Sequence, residues 1–186
     1  MSTTDTNWKS LYTIGGVTAL VFLVYSLITM IVLVVIGGPP ETVVDAFTLL
    51  EEDRIVGLLR LDALTILTVP LYYPLFLSIC AALRKNNVAY TTLGTVVAFA
   101  GITLFLATPS AFSLIPLSDK YAAATTAAQK NQLLAAGEAL LASEMWHGTG
   151  AMMGGILMLV GAVIVSVVML NSDVFGKATA YVGILI

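Results

Sequence analysis

Charge is what this chain has least of. Only 10% of its 186 residues are Asp, Glu, Lys or Arg, against about 25% in an ordinary soluble domain. So few charges cannot cover a globular surface with polar groups, which excludes water as the main solvent. Histidine occurs once, at His147, and cysteine once, at Cys80. A lone cysteine excludes an internal disulfide framework, and a lone histidine excludes bis-histidine haem ligation within one chain. There is no phosphate-binding glycine loop, no G-x-S-x-G elbow, no CxxC and no H-E-x-x-H, so no cofactor is implied. The opening "MSTTDTNWKSLYTIGG" has neither a basic n-region nor an early cleavage site. The apolar block behind it is longer than a signal peptide's core of about 7–15 residues, so it reads as a retained span. A formal net charge of -3 argues against nucleic acid as a partner.

What remains is apolar and blocky. Hydrophobic residues make up 59% of the chain and mean hydropathy is +0.98. Leu11 to Ile36 runs 26 positions without a charge, and Val88 to Leu117 runs 30. Either exceeds the roughly 20 residues that cross a hydrocarbon core as helix. Lipid offers no hydrogen bonds, so such segments are helices. The expected fold is all-α: a polytopic membrane bundle with complete spans at about 11–36, 60–83, 88–108 and 148–170. "GGPP" at 37–40 stops the first span. The acidic amphipathic segment 41–54 suits the membrane surface, and a helical connection joins the third and fourth spans. A partial span at 177–186 holds only 9 residues after Lys177, about 14 Å of helix, so the single membrane domain is expected to be incomplete at its C-terminus. Arg84 and Lys85 share a four-residue turn, where the positive-inside rule is strongest. That favours a multi-pass protein of the cell membrane with a cytoplasmic N-terminus.

Three segments carry a resemblance: "LSDKYAAATTAAQKNQLLAAGEALLA" at 117–142, "LLRLDALTIL" at 58–67 and "VMLNSDVFGKATAYVGIL" at 168–185. Together they resemble a family of uncharacterised prokaryotic multi-pass membrane proteins, a domain of unknown function. The resemblance implies a longer chain of about six spans. It implies no activity and no functional residues.

Thr126 and Gln129 match a capping box, so a helix is expected to start near Ala127 and to run unbroken to His147. Its 100° steps would gather Leu133, Leu134, Gly137, Leu140 and Leu141 on one face, with Glu144 in the middle of that stripe. His147 lies about 60° around from Glu144, and Trp146 points to the opposite side. Counting back from the inner span ends brings Arg60, Asp62, Glu144 and His147 to one depth near the outer hydrocarbon edge. Polar groups there pair with one another or face a cavity. Three readings follow for this cluster: interfacial ion pairs such as Arg60–Glu144 or Arg60–Asp62, a pocket for a polar small molecule or ion, or a metal site. A dinuclear carboxylate centre needs two Glu-x-x-His motifs, and only one is present.

Pro70 and Pro74 should bend the second span. Each frees a carbonyl that Tyr72, Tyr73 or water would satisfy, and the bend could open a cavity. Gly150 and Gly154 form a GxxxG with Gly161 on much the same face, while Gly94, Ala98 and Gly101 repeat the device in the third span. Small residues let helices approach in lipid, so these stripes are expected to pack together inside the bundle or, through Gly150 and Gly154, between subunits. Three functional classes fit. The first is a structural or interaction component of the membrane, the second a small-molecule or lipid binding, transport or sensing protein. The third is a metal-assisted enzyme with Asp62, Glu144 and His147 around one ion.

Overall fold

The computed structural model describes residues 3–144 and 147–185. Every element among the described residues is helical: α1 (Thr3–Ile36), α2 (Val43–Glu52), α3 (Arg54–Arg60), α4 (Ala63–Thr68), α5 (Tyr72–Leu106), α6 (Ile115–Ala123), α7 (Ala127–Ser143), α8 (Thr149–Leu170) and α9 (Lys177–Leu185), with 3-10 turns at Val69–Leu71 and Ala111–Ser113. Three helical stretches are long and apolar enough to cross a membrane, Trp8–Ile36, Ala63–Ala123 and Thr149–Leu170. The chain is therefore compatible with embedding in a bilayer.

The second apolar stretch differs from the expected single helix over 60–83. Pro70 stands inside the 3-10 turn and Pro74 in the first turn of α5, where a missing N–H leaves no helical bond unmade. The chain adapts by closing α4 at Thr68 rather than by bending through the prolines. The Leu64 carbonyl accepts from Thr68 Oγ1 at 2.8 Å and Tyr25 Oη at 3.1 Å. Further on, Asn87 interrupts α5 with extended backbone, and its Oδ1 accepts from the Tyr90 N–H at 3.2 Å. Tyr73 Oη and Thr103 Oγ1 lie 2.6 Å apart across 30 residues, which a straight helix would separate by about 45 Å. Hence α5 is a hairpin of two helical arms folded at Asn87.

The chain divides into two compact units. One gathers Met1–Val24, Val69–Phe105 and Met153–Ile186. Here α1 runs antiparallel to the first arm of α5: Arg84 stacks on Trp8, Tyr12 Oη donates to the Ala81 carbonyl, Gly15 lies against Ser78 and Phe22 meets Tyr72. The second arm then packs on α8 through a seam of glycines. A Cβ on Gly101 would lie 2.5 Å from the Gly154 carbonyl oxygen, and one on Gly161 would lie 2.5 Å from that of Gly94. Both pairs sit seven residues from the next along their helices, so the two backbones touch at matched intervals. Elsewhere α1 exposes Val17, Leu20 and Leu23, an apolar surface suited to lipid.

The other unit gathers Tyr25–Thr68 and Leu106–Met152 and forms a helical cap. Gly37, at φ +96°, ends α1 in the left-handed conformation that glycine tolerates. Thr42 caps α2, and Asp53 Oδ1 accepts from the Ile55 and Val56 N–H groups to start α3. The apolar face of α2, Val43, Ala46, Phe47 and Leu50, is buried. It joins Leu61, Ala111 and Leu114 in a core flanked by Leu117, Tyr121, Leu134, Leu140 and Leu141 of α6 and α7. The apolar stripe of segment 41–54, expected to suit the membrane surface, is thus buried against α6 and α7. Arg54 pairs with Asp119 on the outside of the same unit.

Candidate functional site

The capping box at Thr126 and Gln129 is made in both directions, and it starts α7 at Ala127 as expected. The helix then ends at Ser143 rather than running on to His147. Glu144 adopts an extended backbone, and its carbonyl accepts from the His147 and Gly148 N–H groups at 3.3 and 2.7 Å. That turn places α8 from Thr149. A Cβ on Gly148 would collide with the Ser143 and Glu144 carbonyl groups, so only glycine fits the turn. Even so, Glu144 stays on the buried side: its exposure is 5%, and Gly137 on the same stripe is buried beneath Val43 and Phe47. Trp146 lies outside the described residues.

Asp62 sits at the junction between α3 and α4 and is 1% exposed. Its Oδ2 accepts from the Ala111 N–H at 2.9 Å, a donor that the start of the 3-10 turn leaves without a helical acceptor. Glu144 Oε1 meets His147 Nδ1 at 3.3 Å, and the His147 side chain is 70% exposed. Two oxygens, Asp62 Oδ1 and Glu144 Oε2, are buried with no hydrogen-bond partner among the described residues. Thr29 Oγ1 of the same unit is a third.

Burial pushes both carboxyls above the usual carboxylate range. For Asp62, desolvation outweighs the Ala111 N–H bond that favours the anion. For Glu144, desolvation acts first, the Asp62 charge adds to it, and His147 opposes both. Two like charges buried near each other resist being ionised together, so the pair retains a proton more readily than either acid would alone. Glu144 lines a cleft of about 640 Å³ with Pro39, Pro40, Glu41, Leu61, Leu141, Ala142 and His147. Its walls are apolar and its charged groups acidic, with one histidine.

Of the residues expected to cluster, Asp62, Glu144 and His147 come together and Arg60 does not. Arg60 Nε donates to the Gly38 carbonyl at 2.8 Å, and its guanidinium lies 3.3 Å from where a Gly37 Cβ would stand. The last turn of α3 aims it at the "GGPP" loop, so neither Arg60–Glu144 nor Arg60–Asp62 forms an ion pair. Tyr72 and Tyr73 belong to the other unit. Tyr72 packs on Phe22 and Phe76, and Tyr73 on Phe99 while bonding Thr103, so neither tyrosine takes the compensating role expected of it. Gly150 lies in the first turn of α8, within the cap unit, whereas Gly154 is occupied by Gly101 of the same chain. No three His, Cys, Asp or Glu side chains among the described residues are grouped as a metal ion requires, which leaves the metal-assisted reading without a ligand set.

Pro39, Pro40 and Glu41 line the cleft, yet in the sequence the prolines read only as a helix stop and Glu41 as the start of the acidic amphipathic segment. The proline pair beside an acid was the available signal. Nothing in the sequence points to Ala111, whose part is played by its backbone. In comparisons with known proteins, no family model, no curated protein and no solved structure matches the chain.

Proposed function

We propose that this is a multi-pass cell-membrane protein, N-terminus in the cytoplasm, whose cap binds a small organic cation at Glu144 as part of transport or sensing. Four complete crossings are proposed, α1, the α4 to α5 segment up to the Asn87 fold, the second arm of α5, and α8. One observation carries the binding reading: Glu144 is 95% withdrawn from solvent, yet one of its oxygens has no partner and its side chain walls a cleft. A buried polar group left unsatisfied costs about 1–3 kcal/mol. A purely structural component would gain by replacing it with an apolar residue. An ammonium group supplies the missing donors and the opposing charge, and the apolar walls at Pro39, Pro40, Leu61 and Leu141 suit a hydrocarbon body. An anion would meet Glu41, Glu144 and, behind it, Asp62.

The test is thermal unfolding of the detergent-solubilised chain with matched organic ammonium, neutral and carboxylate compounds. Ammonium compounds should raise the midpoint, by the equivalent of about 2.7 kcal/mol at a hundredfold excess over Kd, and Glu144→Gln should abolish the effect. Stabilisation by none of the three classes would return the protein to the class of structural or interaction components.

A further inference from the structure

A second pocket, in the unit that holds the glycine seam, has the opposite electrostatic character. It has a volume of about 460 Å³ and is lined by Trp8, Lys9, Tyr12, Ala82, Arg84, Lys85 and Val174. Among the described residues, three cations and no acid line it. Lys9, Arg84 and Lys85 have no carboxylate partner among the described residues. We propose that Lys9, Arg84 and Lys85 form a receptor site for the phosphate headgroup of an anionic phospholipid.

Three features support this. First, Arg84 is held in place: its Cζ lies 3.8 Å above the Trp8 ring centroid. A guanidinium stacked on an aromatic face keeps its in-plane N–H donors free for a bidentate oxyanion. Second, the site sits where apolar helix ends. Lys9 precedes the uncharged block from Leu11, and Arg84 directly follows Leu83, so a headgroup bound there leaves its acyl chains beside lipid-facing helix. Tyr12 Oη, bonded to the Ala81 carbonyl, and Trp8 supply the amphipathic rings that favour this level of a bilayer. Third, unpaired cations near a membrane surface attract anionic lipid by about fivefold in affinity each. The site is independent of the cap and its cleft.

Native mass spectrometry of the full chain in detergent, with phosphatidylglycerol or phosphatidylcholine added, tests it. Phosphatidylglycerol is expected to bind the more tightly. Lys9→Gln, Arg84→Gln and Lys85→Gln should each weaken it about fivefold and leave phosphatidylcholine unchanged. Lys120→Gln, on the exposed cap, should change neither. Equal affinity for both lipids, wild-type binding in the three variants, or an equal loss in Lys120→Gln would overturn the proposal. Glycerol 3-phosphate displacing the lipid at comparable concentration would overturn the lipid assignment, because the site would then take a soluble phosphate. The charge-conserving K9R/K85R variant, which leaves the stacked Arg84 guanidinium in place, is expected to retain binding. Its failure to do so would show that packing rather than charge holds the lipid, which also defeats the proposal.

Discussion

Asp62 and Glu144 do different work although both are buried acids. One oxygen of Asp62 holds the Ala111 N–H, so this residue ties the start of the turn before α6 to the α3–α4 junction. Asp62→Ala would orphan that donor and should cost about 1–3 kcal/mol, whereas Asp62→Asn keeps an acceptor. Glu144 makes one long contact, to an exposed histidine, and such pairs contribute little. Its charge is therefore nearly uncompensated. The consequence for pH follows from the sign of the shifts. Both folded-state values lie above the ordinary 3.8 of Asp62 and 4.5 of Glu144. The native state thus holds more protons than the unfolded one across the interval above those values. Stability is fully present below them and falls as pH rises through the raised values. Unfolding midpoints measured from about pH 4 to 8 should decline, and Glu144→Gln should flatten the decline and raise the midpoint at neutral pH. A profile unchanged by that substitution would mean that the carboxyl is solvated.

At the scale of elements, the glycine seam and the cap core hold by different means. Gly101 faces the Gly154 carbonyl and the Met158 backbone, with no room for a side chain, while Gly155 one residue along has open space. Gly101→Leu should therefore cost at least about 1–3 kcal/mol through overpacking, and Gly155→Ala should stay within about 0.5 kcal/mol of wild type. Equal losses at both positions, measured as unfolding midpoints in detergent, would mean that glycine matters there for backbone reasons and not for contact. The seam was legible because a seven-residue glycine repeat in two apolar helices has few other uses. The stripe from Leu133 to Glu144 was legible for a similar reason, since helical spacing alone ranks its burial. The end of α7 was not: Ala142 and Ser143 carry no stop signal, and the break is imposed by the turn at Gly148. Nor was the cap core, because α2 meets its partners far away in sequence, as the Ser118 bond to the Phe47 carbonyl across 71 residues illustrates. Arg60 was misplaced for want of the same long-range knowledge. Depth alone set it beside Glu144, but the turn of α3 points it at Gly38.

For the whole molecule, the arrangement of the seam-bearing unit bears on orientation. Trp8 touches Arg84, and Asn86 Nδ2 donates to the Asn171 carbonyl at 3.3 Å. The start of α1, the fold of the α5 hairpin and the end of α8 therefore meet at one end of that unit. Lys9, Arg84 and Lys85 are gathered there, and Lys177 follows within a few residues of Asn171. A cluster of basic residues at span ends is retained in the cytoplasm, so this end should face inward. In the proposed topology the second arm of α5 carries the chain across once before α6 and α7. The proposed topology puts Asn86 and Ala128, both exposed, on opposite sides of that single crossing. In a Cys80→Ala background, an impermeant maleimide applied to intact cells should label Ala128→Cys at once and Asn86→Cys only after permeabilisation. Reversed labelling would invert the orientation while keeping the crossing. Labelling of both from outside would remove the crossing, and the apolar second arm of α5 would then have to lie within protein rather than through lipid.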